Sequence, residues 1–251
     1  MNPLTIGSLV FVCVFGAGLL ALFLRAALPQ HHLSAETKDT VRLTKGLVAT
    51  LTALVLGLLI ASAKGSYDTE KSEVTIMAAK LAFLDRLLAM YGPESAPART
   101  ALHQAVERIV ARMWPTAVAQ SAQLDPHVAS AEGVYRAIQD LSPQNDTQRA
   151  LKTQALGSAY ELGQMRWLLF EQGGTSISTP LLVVVVCWLA VLFFSFGLFA
   201  PANGTSFAAL IVAALSVAGA IFLILELDQP FDGLIQISSR PMLNALSHLG
   251  Q

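Results

Sequence analysis

The sequence predicts an all-α integral membrane protein in which four transmembrane helices carry a soluble helical domain inserted between the second and third spans. Three observations support this. The 251-residue chain is 54% hydrophobic and only 13% charged, richer in apolar side chains and poorer in charge than a water-soluble domain. It contains four apolar runs that reach the length of about 20 residues a bilayer crossing requires. Between the second and third runs the pattern turns amphipathic, with apolar residues recurring every third or fourth position.

The first run extends from Leu4 to Leu24. No Lys or Arg precedes it and no convincing cleavage site follows before Arg25, so it reads as a retained span rather than a signal peptide. The second runs from Gly46 to Ala63. Beyond it, Val74, Met77, Leu81, Leu84 and Leu88 form one stripe on a helix that continues the span and ends at Gly92-Pro93. A further helix is expected from Pro97 to Trp114, with Leu102, Val106, Ile109 and Met113 on one face and Pro115 as its stop. Asp125-Pro126 and Ser142-Pro143 each combine an N-cap with proline at the first helical position, opening helices over His127 to Leu141 and Gln144 to Gln172. Gly173-Gly174 closes the last of these. The third and fourth spans, Pro180 to Ala200 and Thr205 to Leu225, are joined by Pro201-Ala202-Asn203-Gly204, short enough to enforce an antiparallel hairpin. Ala209, Ala213, Ser216 and Ala220 place small residues along the fourth span, the pattern of close helix packing. The chain thus divides into a first hairpin (1–63), a helical domain (64–178), a second hairpin (179–225) and an acidic tail segment (226–251).

Charge and motif content exclude several function classes. The formal net charge is −1, and residues 64–178 mix 11 basic with 12 acidic side chains. This is a solvated surface, without the basic excess of a nucleic-acid reader. Cys13 and Cys187 both lie inside apolar runs and read as small buried hydrophobes rather than redox groups. No phosphate loop, nucleophile elbow or metal-ligand spacing is present, and the His31-His32 pair has no accompanying ligand set. Glu226 and Asp228, two apart on a helix, point in different directions and do not make an acid–base pair. The sequence therefore predicts no enzyme. Orientation is not decided by charge either: Arg25, Lys38, Arg42 and Lys45 flank the first loop, against Lys64, Lys71, Lys80, Arg166 and Arg240 on the other side.

Two stretches carry a family resemblance. "LELDQPFDG" (225–233) places Glu226, Asp228 and Asp232 around Pro230-Phe231 directly after the fourth span, and "TLTALVLGLLIAS" (50–62) forms the second span. With the four-span architecture, these stretches resemble the bestrophin family, and more closely its bacterial bestrophin-like members. Asp232 intervenes between Phe231 and Gly233, the neck lacks the family's aromatic rings, and Ser66-Tyr67-Asp68 matches the aromatic-rich run after that helix only after a shift of about three residues.

The resemblance implies a homo-oligomeric ion channel, a pentamer, in a bacterial cytoplasmic membrane, with its termini and helical domain on the cytoplasmic side. Its partners would be the lipid bilayer, inorganic ions and further copies of the chain, with no nucleic acid. The pore-neck positions fall on Thr50, Leu54 and Leu58, spaced by four along one helix face, where an apolar constriction can gate by dewetting. Glu226, Asp228 and Asp232 correspond to acids that contact a neighbouring subunit or an ion, and Pro230 and Phe231 to a helix stop that turns the tail. No cofactor is predicted; calcium stays open, since the family's dense acidic run is not present. The residues also admit plainer readings. Thr50, Leu54 and Leu58 could pack against the other spans, Glu226 and Asp228 could mark the membrane boundary, and Tyr67 and Asp68 could be a solvated turn. The alternative function is a membrane-anchored signalling or scaffolding protein whose helical domain binds a ligand or partner.

Overall fold

The computed structural model describes residues 2–27, 35–115, 122, 130–172, 177–201 and 203–250. The His31-His32 pair, the Asp125-Pro126 helix start and the Gly173-Gly174 stop lie outside them. Among the described residues the chain is helical without strands: α1 (Pro3–Ala27), α2 (Ala35–Tyr91), α3 (Ala96–Met113), α4 (Ser130–Gln139), α5 (Asp146–Gln172), α6 (Thr179–Phe199), α7 (Gly204–Leu227) and α8 (Arg240–His248), with a 3-10 turn at Pro93–Ser95. Helices α1, α2, α6 and α7 are long and apolar enough to cross a membrane. The protein is therefore a multi-pass membrane protein with the predicted four-span order. Helix α2 is continuous for 57 residues, so the second span and the stripe beyond it are one helix, as their shared periodicity predicts.

The chain folds as two compact units, Met1–Ser66 with Ser176–Asp228, and Tyr67–Thr175 with Gln229–Gln251. In the first, α1, α6 and α7 bury Val10 and Val14, Val185, Leu189 and Phe193, and Leu210, Ala214 and Ile221, joined by Leu59 and Ala63 of α2. Helices α1 and α6 approach very closely. A Cβ placed on Gly197 would fall 2.0 Å from the Gly18 carbonyl oxygen and 3.1 Å from the Ala21 Cβ, so hydrogen at that position is what permits the crossing.

Two expectations about the spans are corrected here. Of the stripe Ala209, Ala213, Ser216 and Ala220, the first three are exposed on this chain and Ala220 is half-buried, while Ala214 and Ala218 are the small residues buried in the bundle. Cys13 and Cys187 are likewise exposed. Both errors have one cause. A membrane helix is apolar on every side, so apolar context does not mark its inward face.

The second unit follows its amphipathic pattern. Val74, Met77, Leu81, Leu84 and Leu88 of α2 are each 5% exposed or less, as are Leu102, Val106 and Met113 of α3, and Ile109 packs at the margin. The Arg99 guanidinium donates twice, at 2.8 Å, to the buried Asp85 carboxylate. That hydrogen-bonded pairing raises the Arg99 pKa further above its ordinary value. Helix α4 is described only from Ser130 and α5 starts at Asp146, two residues later than expected. Helix α8 has no counterpart in the sequence reading. It inserts Met242 and Ala245 into the same core as α2 and α3, which makes the tail part of the helical unit.

Candidate functional site

Helix α2 presents two different faces over its span. At about 100° per residue, Thr52, Leu59 and Ala63 share one side, and all three are buried. Thr50, Leu54 and Leu58 lie on the opposite side. Leu54 and Leu58 are 70% and 64% exposed, and Leu43, Leu47 and Leu51 extend the exposed apolar strip along the helix. The predicted neck residues therefore share a face that no other span of this chain covers. Thr50 is exposed, and its hydroxyl donates to the Gly46 carbonyl at 3.0 Å, so its proton is held within the helix. Gly57, in the same stretch of α2, has no neighbour within 4 Å of the position a Cβ would take.

The acidic segment is built where α7 stops. The helix runs through Leu227 with Asp228 as its C-cap, and Pro230, which has no N–H to donate, follows. Glu226 lies in the last helical turn and is only 2% exposed, so it is not a carboxylate returned to water at a boundary. Asp228 is half-buried.

Beyond this point the chain enters the helical unit. Phe231 is buried with its ring 6.0 Å from that of Trp114 at an interplanar angle of 66°, an edge-to-face pairing. The Ile237 N–H donates to the Pro230 carbonyl at 2.8 Å, and the Trp114 indole N–H donates to the Ile237 carbonyl at 2.7 Å. Gly233 takes φ +92°, a left-handed conformation that glycine adopts without strain. Asp232 accepts from the Ala122 N–H at 3.0 Å.

Glu226 and Asp228 belong to the first unit and Asp232 to the second, where it anchors a loop. Among the described residues no group of three or more His, Cys, Asp or Glu is placed to hold a metal ion. Tyr67 is more than a solvated turn, because its hydroxyl reaches the Gln236 carbonyl at 3.4 Å.

Trp114 organises the tail, a role that its place at the end of the predicted Pro97 to Trp114 helix does not announce. The available signal was a bulky aromatic directly before Pro115 at the end of an amphipathic stripe. The helical unit also carries an open cleft of about 1180 Å³ whose walls include Lys80, Tyr135, Tyr160 and Trp167. Lys80 there pairs with Glu161.

A family model described as Bestrophin-like domain matches residues 12–242. Among solved structures, the chain is similar to a point mutant of a bacterial bestrophin homologue from Klebsiella pneumoniae. The TM-score is 0.67 at 12% identity, over 98% of this chain and 99% of that one. No curated protein matches the sequence.

Proposed function

The chain belongs to the bestrophin-like family, and from that premise we propose that it forms a homo-oligomeric ion channel, a pentamer, in a bacterial cytoplasmic membrane. The observation that carries the reading is the exposed apolar strip of α2, opposite the side on which Leu59 and Ala63 join the bundle core. Membrane association alone does not require such a strip to coincide with the family's neck positions. Arranged around an axis, the α2 helices of several subunits would line the pathway, with Leu54 and Leu58 as its apolar constriction and Thr50 beside them. A pore of that kind passes ions when water fills it and closes when it dries.

Asp228, half-buried, is assigned to contact with an adjoining subunit, where a charged acceptor strengthens hydrogen bonds from backbone or basic donors; Glu226, 2% exposed, is covered by its own chain and is not given that role. Asp232 contributes indirectly, by holding the loop that follows Pro230 and Phe231. The helical unit and both termini are placed on the cytoplasmic side. The protein has no catalytic role in this reading, and calcium is not required.

Reconstitution in liposomes is the decisive experiment. Purified protein should release a trapped ion gradient, and native mass spectrometry should show a single oligomer. Lack of flux from a correctly assembled oligomer, across both anions and cations, would reject the channel and favour an anchored binding protein. The cleft at Tyr160 and Trp167 would then be the place to seek its ligand.

A further inference from the structure

A cavity of about 460 Å³ opens within the first unit, walled by Phe196 and Phe199 of α6 and by Ala209, Leu210 and Ala213 of α7, with Lys45 of α2 contributing the charge. The exposed alanines that fail to pack in the bundle are thus the floor of a groove. Lys45 directly precedes the apolar run that begins at Gly46, which puts its ammonium where hydrocarbon gives way to headgroups. Its Nζ lies 4.6 Å from the centroid of the Phe196 ring. That contact occupies one side of the ammonium and leaves N–H donors for another partner. Arg25 donates to the carbonyl of Ala200, a further wall residue, and brings a second positive charge to this end of the helices.

The lining contains no acidic residue, and no ion pair among the described residues neutralises Lys45. The complementary occupant has a negative charge at one end and a slender apolar body behind it. The α6–α7 hairpin of a second copy supplies that poorly, since α6 contains no acid and Glu226 lies in the last turn of α7, far along the helix from the Ala209–Ala213 floor. We propose that the cavity binds an anionic phospholipid, with the headgroup phosphate on the Lys45 ammonium and an acyl chain along Ala209 and Ala213 against Phe196 and Phe199. Basic pockets between membrane helices recognise headgroups through this chemistry.

The test is native mass spectrometry of the full-length oligomer titrated with phosphatidylglycerol, with phosphatidylcholine of the same chains, and with glycerol 3-phosphate as a headgroup without chains. Wild type should retain phosphatidylglycerol roughly fivefold better than phosphatidylcholine, the preference one lysine confers near a membrane surface, and should not retain glycerol 3-phosphate. Lys45→Gln should remove the preference, Lys45→Arg should keep it, and Ala213→Leu, which fills the groove, should reduce retention of both lipids. The proposal is overturned by equal retention of the two lipids in wild type, or by an unchanged preference in Lys45→Gln. It is overturned equally if glycerol 3-phosphate binds as well as the intact lipid, or if Ala213→Leu alters the number of subunits while leaving lipid retention as it was.

Discussion

Truncating Leu54 to alanine tests whether this exposed side chain faces the proposed pathway or packs against another helix, and Leu59 provides the internal control. Leu→Ala at a buried core site costs about 3–5 kcal/mol. Leu59 is 4% exposed and joins the core of the first unit, so Leu59→Ala should lose about that much. Leu54 is 70% exposed, which leaves the subunit under a third of full burial to lose, about 1 kcal/mol on the same scale. At about 2–4 °C per kcal/mol for a chain of this size, the two variants should differ by several degrees in melting temperature. Flux should move the other way. If Leu54 lines the proposed pathway, Leu54→Ala should widen and hydrate it and raise conductance in liposomes, whereas Leu59→Ala should not. The reasoning is refuted if Leu54→Ala melts as low as Leu59→Ala, or if a well-assembled Leu54→Ala oligomer conducts like wild type.

Gly197→Ala should destabilise the first unit by about 1–3 kcal/mol, the cost of overpacking, because the new methyl meets the Gly18 carbonyl oxygen; thermal melting checks this, and Gly219→Ala, with nothing within 4 Å of its Cβ position, should be near neutral. Asp85→Asn should cost about 3 kcal/mol, the low end for breaking a buried pair, since Arg99 keeps 21% of its side chain exposed; urea titration of the oligomer would measure it. Asp228→Asn and Glu226→Gln keep shape while removing charge, and should lower the oligomer melting temperature or shift flux. Equal behaviour of Asp228→Asn and wild type, with and without calcium, would remove Asp228 from the subunit contact, and a melting loss in Glu226→Gln without a change in subunit number would mark Glu226 as a buried acid of its own chain. Asp232→Ala should cost about 1 kcal/mol, the net contribution of one part-buried hydrogen bond to the Ala122 N–H, with the loss read by melting and liposome flux unaffected.

The soluble part of the fold was more legible than the membrane part, for a physical reason. Where water covers one face, periodicity names the buried one, and the stripe from Val74 to Leu88 is buried throughout. Inside the bilayer both faces of α7 are apolar, so the visible alanine stripe gave no sign that it lies outward. The neck face of α2 came from family resemblance; spacing showed only that Thr50, Leu54 and Leu58 are collinear. For Glu226 the sequence leaves a subunit or ion contact and a membrane-boundary role both open, because the polarity of its neighbours shows that an apolar run ends there, but not which way the last turn points. Helix α8 is nine residues long, too short for its periodicity to stand out, and its docking against α2 and α3 depends on contacts distant in sequence.

The return of the tail to the helical unit has a consequence for how the protein is made. Residues 67–175 emerge from the ribosome well before the segment that carries Phe231, Ile237 and Met242, all of which are buried in the same core as Val106 and Ile138. During synthesis the nascent unit must therefore wait, with part of its apolar interior uncovered, while the second hairpin is inserted. Closing that core is a late event, subsequent to completion of the membrane helices. A chain interrupted after Asp228 would leave that face uncovered and open to chaperones and proteases.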